Sequence, residues 1–184
     1  MENFEEKENK LANYIRLAFW LYLVYFTYQI VSGKLETLYA FMHNIDLPIH
    51  EFGHLFFGII SANNYLITIA GGSLAQVIFP AIMTVGFLFQ RNYFATGICA
   101  VWVGESMIDV SYYISDASAR DLPLITGDPD THDWFNILSE LNILHHDTKI
   151  GSFVFFLGSI VMITGLIYSF YSLNKQAKFI EVKL

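Results

Sequence analysis

The stretch Asp46-Leu47-Pro48-Ile49-His50-Glu51-Phe52-Gly53-His54-Leu55-Phe56-Phe57-Gly58-Ile59-Ile60 decides how this chain is read. Written on a helix, it sets His50 and His54 one turn apart on the same face, with Glu51 about 100° round the axis from His50. Asp46 is a good N-cap, and Pro48 falls in the first turn, where its missing N–H has no partner to lose. Two imidazoles at i and i+4 can reach one Zn²⁺, and a carboxylate beside them can take a proton from water that such an ion activates. The plainer reading is two packed histidines and a stray glutamate. It leaves three polar side chains set among Leu, Ile and Phe, where burial without a partner is costly.

Composition says what surrounds that helix. Of 184 residues, 54% are hydrophobic, 17% aromatic and only 15% charged, and the mean hydropathy is +0.44. A soluble core of this size cannot cover so much apolar surface, so the bilayer is the expected solvent and membrane lipid the first partner. A net charge of −7 excludes nucleic acid, because no basic stripe is present to neutralise phosphates. Cys99 is the one cysteine, so the chain has neither an internal disulfide nor a thiolate cluster, and any metal is held by His and carboxylate.

In chain order, residues 1–10 are acidic and polar and are expected to form a short flexible tail, unlike the basic start of a cleaved leader. Residues 11–31 are apolar enough for a first crossing, with Arg16 placed to snorkel to the headgroups. Residues 35–43 read as a short interfacial helix, with His43 at the interface. Residues 47–60 are short for a full span and read as a helix buried among its neighbours.

Three further helices follow, at 65–89, 93–115 and 150–173, and residues 174–184 form a polar tail. The expected fold is all-α: a polytopic membrane helix bundle of about five helices in one domain, 11–173. One polar extramembrane loop, 116–149, interrupts it, and the protein is integral to the membrane and multi-pass.

Within this frame a few polar groups stand out. Gly71-Gly72-Ser73 ends an entry segment, lets backbone approach a site, or packs helices through small residues. Gln76 is a candidate oxyanion donor or an interhelical hydrogen bond. Glu105, Asp109, Tyr112 and Asp116 recur at three- and four-residue spacing and share a face, and acids inside a spanning helix mark a site by default.

In the loop, residues 134–144 read as a short amphipathic helix with Trp134, Ile137, Leu138 and Leu141 on one face. His132, with Asp133 beside it, can reach into the site, and His145-His146-Asp147 is expected at the surface. Asp128 and Asp130 alternate as in a calcium loop, but the other ligands and the closing Glu are missing.

A catalytic zinc needs a third protein ligand and an open position. The candidates are Asp109, Glu105 and His132. The His50-Glu51-Phe52-Gly53-His54 motif within an apolar helix resembles the site-2 protease family of membrane metalloproteases. That resemblance implies that Asp109, on a later membrane helix, is the third ligand. Glu105-x-x-x-Asp109 also resembles the gluzincin pattern of CAAX-processing and heat-shock membrane proteases, which implies that Glu105 binds zinc and Asp109 orients a ligand histidine. Both resemblances cover little more than these two helices.

The expected function is therefore a membrane-embedded zinc metallopeptidase acting on a membrane-protein or peptide substrate. Its metal would sit on His50, His54 and Asp109, Glu51 would be the general base, and His132 or Gln76 would be the oxyanion donor, with Asp116 or His132 supporting the ligands. The alternatives are the same chemistry on a lipid amide or ester, and a metal-binding membrane protein without catalysis.

Overall fold

The computed structural model describes the backbone of residues 4–181 and the side chains of residues 10–173, and every described element is helical. The chain runs through α1 (Phe4–Val31), α2 (His43–Ile60), α3 (Tyr65–Phe89), α4 (Tyr93–Ser115), α5 (Asp133–Glu140) and α6 (Asp147–Glu181). Single 3-10 turns lie at Thr37–Tyr39, Pro129–Thr131 and Leu144–His146.

Both expected tails are drawn into helix. α1 begins at Phe4, inside the segment expected to be flexible, and α6 continues to Glu181. The Glu- and Lys-rich composition of the two ends carries good helix propensity, so polarity alone does not stop the helix there.

The connection before the motif also differs from expectation. Within 35–42 only the 3-10 turn forms, and α2 starts at His43, capped by no side chain. Asp46 is therefore not the N-cap. It lies inside the helix, fully buried, and its two oxygens accept from Trp102 Nε1 at 2.8 Å and Ser106 Oγ at 3.3 Å. The α4 partners, invisible to local pattern, claim the carboxylate that a free helix end would have used.

α4 is the central helix, and small residues let its neighbours approach it closely. Gly97 and Gly104 stand two turns apart on α4 and face Gly165 and Gly158 of antiparallel α6. A Cβ on Gly104 would lie 2.5 Å from the Gly158 carbonyl oxygen, and one on Gly165 2.7 Å from that of Gly97. With the backbones this close, dispersion contacts and helix packing replace what longer side chains would fill. Around the seam, Leu23, Phe26 and Ile30 of α1 pack with Val101 and Ile108 of α4 and Met162 and Leu166 of α6. A second cluster joins Val110 and Ile114 of α4 to Leu138 of α5.

Outward faces remain apolar. Phe52, Leu55 and Ile59 on α2 are 61%, 68% and 79% exposed, and Phe89, Phe153 and Ile167 are similarly open on α3 and α6. Two segments, Tyr65–Phe89 and Leu144–Leu173, are long and apolar enough to cross a membrane. Only 28% and 33% of the most apolar eighteen residues of each are buried within the protein, whereas a soluble core helix would be mostly covered.

Candidate metal centre

The motif helix is seated by glycine. α2 meets α3 where Gly53 faces Gly71, and a Cβ on Gly71 would come within 2.7 Å of the Gly53 carbonyl oxygen. One residue on, Gly72 lies directly beneath both motif imidazoles, where a Cβ would fall 2.6 Å from His54 Nε2 and closer still to His50 Nε2. Two of the three readings of the diglycine hold together: helix packing at Gly71 and close approach to the site at Gly72.

Hydrogen bonds fix how the imidazoles present themselves. His54 Nδ1 lies 2.9 Å from the Thr68 carbonyl oxygen, and a carbonyl only accepts, so Nδ1 carries a proton and Nε2 is the nitrogen available to a metal. His50 Nδ1 lies 3.3 Å from Gln76 Oε1 and donates to it, with the same consequence for its Nε2. Both Nε2 atoms turn toward one carboxylate oxygen, Asp133 Oδ2, which is 3.0 Å from that of His50 and 3.3 Å from that of His54.

A proton on Nε2 of an imidazolium bridges such a nitrogen to the carboxylate, and a divalent cation in its place would take a lone pair from each of the three atoms. Ligands on a tetrahedral zinc with ordinary bond lengths stand about 3.3 Å apart. The donor set therefore fits a divalent zinc-type ion. Each candidate ligand imidazole gives its other N–H to an oxygen, the pattern that orients metal-binding histidines. Glu51 completes the group: its carboxylate and the two imidazoles offer ligand atoms all within 4.8 Å of one another.

Asp133 reaches this place because the tripeptide His132-Asp133-Trp134 is fastened at each residue. His132 is fully buried, and its Nδ1 accepts the Phe135 N–H at 3.2 Å, capping α5. That leaves Nε2–H to face Asp116 Oδ2 at 3.3 Å. The Asp133 N–H donates to Tyr113 Oη at 3.0 Å, and Trp134 Nε1 donates to Ser73 Oγ at 3.0 Å.

Electrostatics follow from these contacts. Burial works to raise the Asp133 carboxyl, but the hydrogen bonds from His50 and His54 outweigh it and hold the carboxyl below its usual range. Burial pulls His132 below the ordinary imidazole value, against the opposing effect of Asp116, in keeping with its neutral capping role.

The other expected site residues are placed as follows. Asp109 lines the same cavity, but its oxygens are taken by Gln76 Nε2 at 2.7 Å and by His43 Nδ1 at 3.1 and 3.2 Å. The carboxylate that meets the histidine pair is Asp133 instead. Glu105 is fully buried next to Asp46, with no hydrogen-bond partner for either oxygen in strict geometry, and is not brought to the imidazoles. His132 has both ring nitrogens engaged, so it offers no donor for an oxyanion. Gln76 makes the interhelical hydrogen bond to Asp109 and also lines the cavity, and His43 pairs with Asp109.

Asp133 was visible only as a neighbour of His132. The one signal for it is its place at the first turn of an amphipathic helix, because docking that helix by Trp134 carries the residue along.

All of this opens into a cavity of about 450 Å³ between α2, α3, α4 and the 122–126 loop. His50, Glu51, His54 and Asp133 lie on one part of its wall, and Leu38, Leu47, Ile69, Leu122 and Ile125 supply apolar surface. Set against protein family models, curated proteins and solved structures, the chain matches none of them.

Proposed function

We propose that this chain is a membrane-embedded zinc metallopeptidase in which His50, His54 and Asp133 hold the metal and Glu51 is the general base. The observation that carries this reading is the convergence of two imidazole Nε2 atoms on one carboxylate oxygen, at the spacing of ligands on a tetrahedral zinc. When bound, zinc supplies Lewis acidity, making water a better acid and a carbonyl a better electrophile.

The chain's own residues do the rest. Glu51, exposed on the cavity wall beside the pair, takes the proton from the attacking water and returns it to the leaving amine. Asp133, drawing on the fastenings of α5, holds the third position rigid, and Gly72 keeps the space below the imidazoles clear.

The cavity favours a peptide over an anionic lipid. Four of its lining residues are carboxylates, Glu36, Glu51, Asp109 and Asp133, and none of the described lining residues is Lys or Arg to receive a phosphate. Its aliphatic wall suits an apolar segment. The outward apolar faces of α2, α3 and α6 support a bilayer setting, and the reading places α1, α2 and α4 within the bilayer beside the two most apolar helices.

The test is Glu51→Gln in purified, detergent-solubilised protein, assayed for zinc by elemental analysis and for hydrolysis of labelled hydrophobic peptides. Zinc is expected to remain at wild-type occupancy while turnover falls by about 10²–10⁴-fold. Undiminished turnover removes Glu51 as base, and wild-type protein that holds no zinc removes the metal site.

A further inference from the structure

Gln76 is wedged between the motif helix and the acidic helix, and its orientation is forced from one end. Its amide nitrogen lies 2.7 Å from Asp109 Oδ2, and an ionised carboxylate only accepts, so the NH₂ group must point there. The amide oxygen is thereby turned to His50 Nδ1 at 3.3 Å, and an oxygen only accepts, so Nδ1 must carry the proton. Asp109 is in turn bridged by His43 Nδ1, 3.1 Å from one oxygen and 3.2 Å from the other. From the chain His43, Asp109, Gln76, His50, we infer that His43 and Asp109 are positioning residues that act through Gln76 to keep a proton on Nδ1 of His50, leaving Nε2 as the nitrogen that would ligate a metal beside Asp133. The inference rests on the metallopeptidase reading above.

The reverse arrangement shows what the chain prevents. A protonated Asp109 could donate to the Gln76 oxygen, and the amide would then turn its NH₂ to His50 Nδ1. That nitrogen would become the acceptor, Nε2 would carry the proton, and a donor would point where a cation needs a lone pair. His43 works against this by donating to Asp109 and keeping both of its oxygens as acceptors.

His43 stands two turns before His50 on α2, so one helix supplies both ends of the chain, while α3 and α4 supply the middle. His54 needs no such device. Its partner is the Thr68 backbone carbonyl, which cannot reverse its role. The two candidate ligands are thus held differently, one by invariable backbone and one by a side-chain chain that substitution can switch.

The experiment measures zinc affinity by chelator competition in detergent-solubilised protein for wild type, Gln76→Leu, Asp109→Asn, His43→Leu and His43→Asn. Removing an outer hydrogen-bond partner of a ligand histidine should weaken zinc binding by about 10–100-fold, and this is expected for Gln76→Leu, Asp109→Asn and His43→Leu. His43→Asn keeps an N–H at the position of Nδ1 and should recover most of the loss, which a merely space-filling role would not predict. Thermal unfolding of each variant without metal identifies any that fails to fold.

Folded Gln76→Leu and His43→Leu proteins with wild-type affinity overturn the proposal, as does His43→Asn behaving like His43→Leu. Wild-type protein without zinc affinity sinks the metallopeptidase reading and this proposal together. Wild-type protein with tight binding and indifferent variants sinks this proposal alone.

Discussion

Trp134 donates its indole N–H to the Ser73 hydroxyl at 3.0 Å, hooking α5 to α3 one residue beyond the carboxylate that meets His50 and His54. The hook makes the third member of the candidate cage depend on the docking of a helix of only eight residues. Trp134→Phe keeps an aromatic ring but loses the donor, at a net cost of about 1 kcal/mol, or about fivefold in an equilibrium constant. Zinc affinity measured by chelator competition should fall by about that factor, and Trp134→Ala should lower it further. Equal affinity in all three proteins would mean that the hook does not hold Asp133 in place.

Asp133→Asn and Asp109→Asn distinguish a carboxylate at the imidazoles from one behind them. Loss of the Asp133 charge should reduce zinc affinity by more than about 100-fold, beyond the range expected for an outer partner such as Asp109. Isothermal titration or chelator competition gives the order directly. If Asp109→Asn is the more damaging change, the cage is built on α4 and not on α5.

Gly72→Ala and Gly86→Ala offer a matched pair on α3. A Cβ at Gly72 would strike both motif imidazoles, while one at Gly86 meets nothing within 4 Å. Overpacking at Gly72 should cost about 1–3 kcal/mol and displace the histidines, lowering both thermal stability and zinc content. Gly86→Ala should be neutral or stabilising by about 0.5–1 kcal/mol, the usual helix preference of Ala over Gly. Thermal unfolding in detergent reads both, and a Gly72→Ala protein as stable and zinc-replete as wild type would contradict the close approach.

Gly104→Val tests the seam between α4 and α6 away from the site. Its branched side chain would meet the Gly158 carbonyl and the Met162 backbone, each 2.5 Å from the added Cβ. Separation of the helices should lower stability by about 1–3 kcal/mol. The folded fraction should bind zinc as wild type does, because none of the described cavity-wall residues belongs to α6. A stable Gly104→Val protein would show that the helices have room to spare.

Much of the frame could be read from residues alone. The apolar period and turn residues located the long helices, and the amphipathic pattern of Trp134, Ile137 and Leu138 found α5, although Leu141 on the same predicted face is 52% exposed. The three acids of this stretch are all shielded, Glu105 being buried and the carboxyl groups of Asp109 and Asp116 12% exposed. Pattern could not say which acid faces which partner. Asp46 looked like a cap because local rules count only the helix end, and Trp102 and Ser106 lie 56 and 60 residues away in sequence.

The placing of His50 and His54 on one helical face, with Glu51 beside them, was settled by sequence, because a spacing of four residues and an axial turn are nearly the same length. Which carboxylate closes on that pair was settled only in three dimensions. Asp133 lies at the end of a long loop whose path no local propensity dictates, and it arrives through side chains of α3 and α4, namely Ser73, Tyr113 and Asp116, that grip the residues around it. Helical periodicity acts over a few residues, whereas this grip depends on packing between elements far apart in the chain.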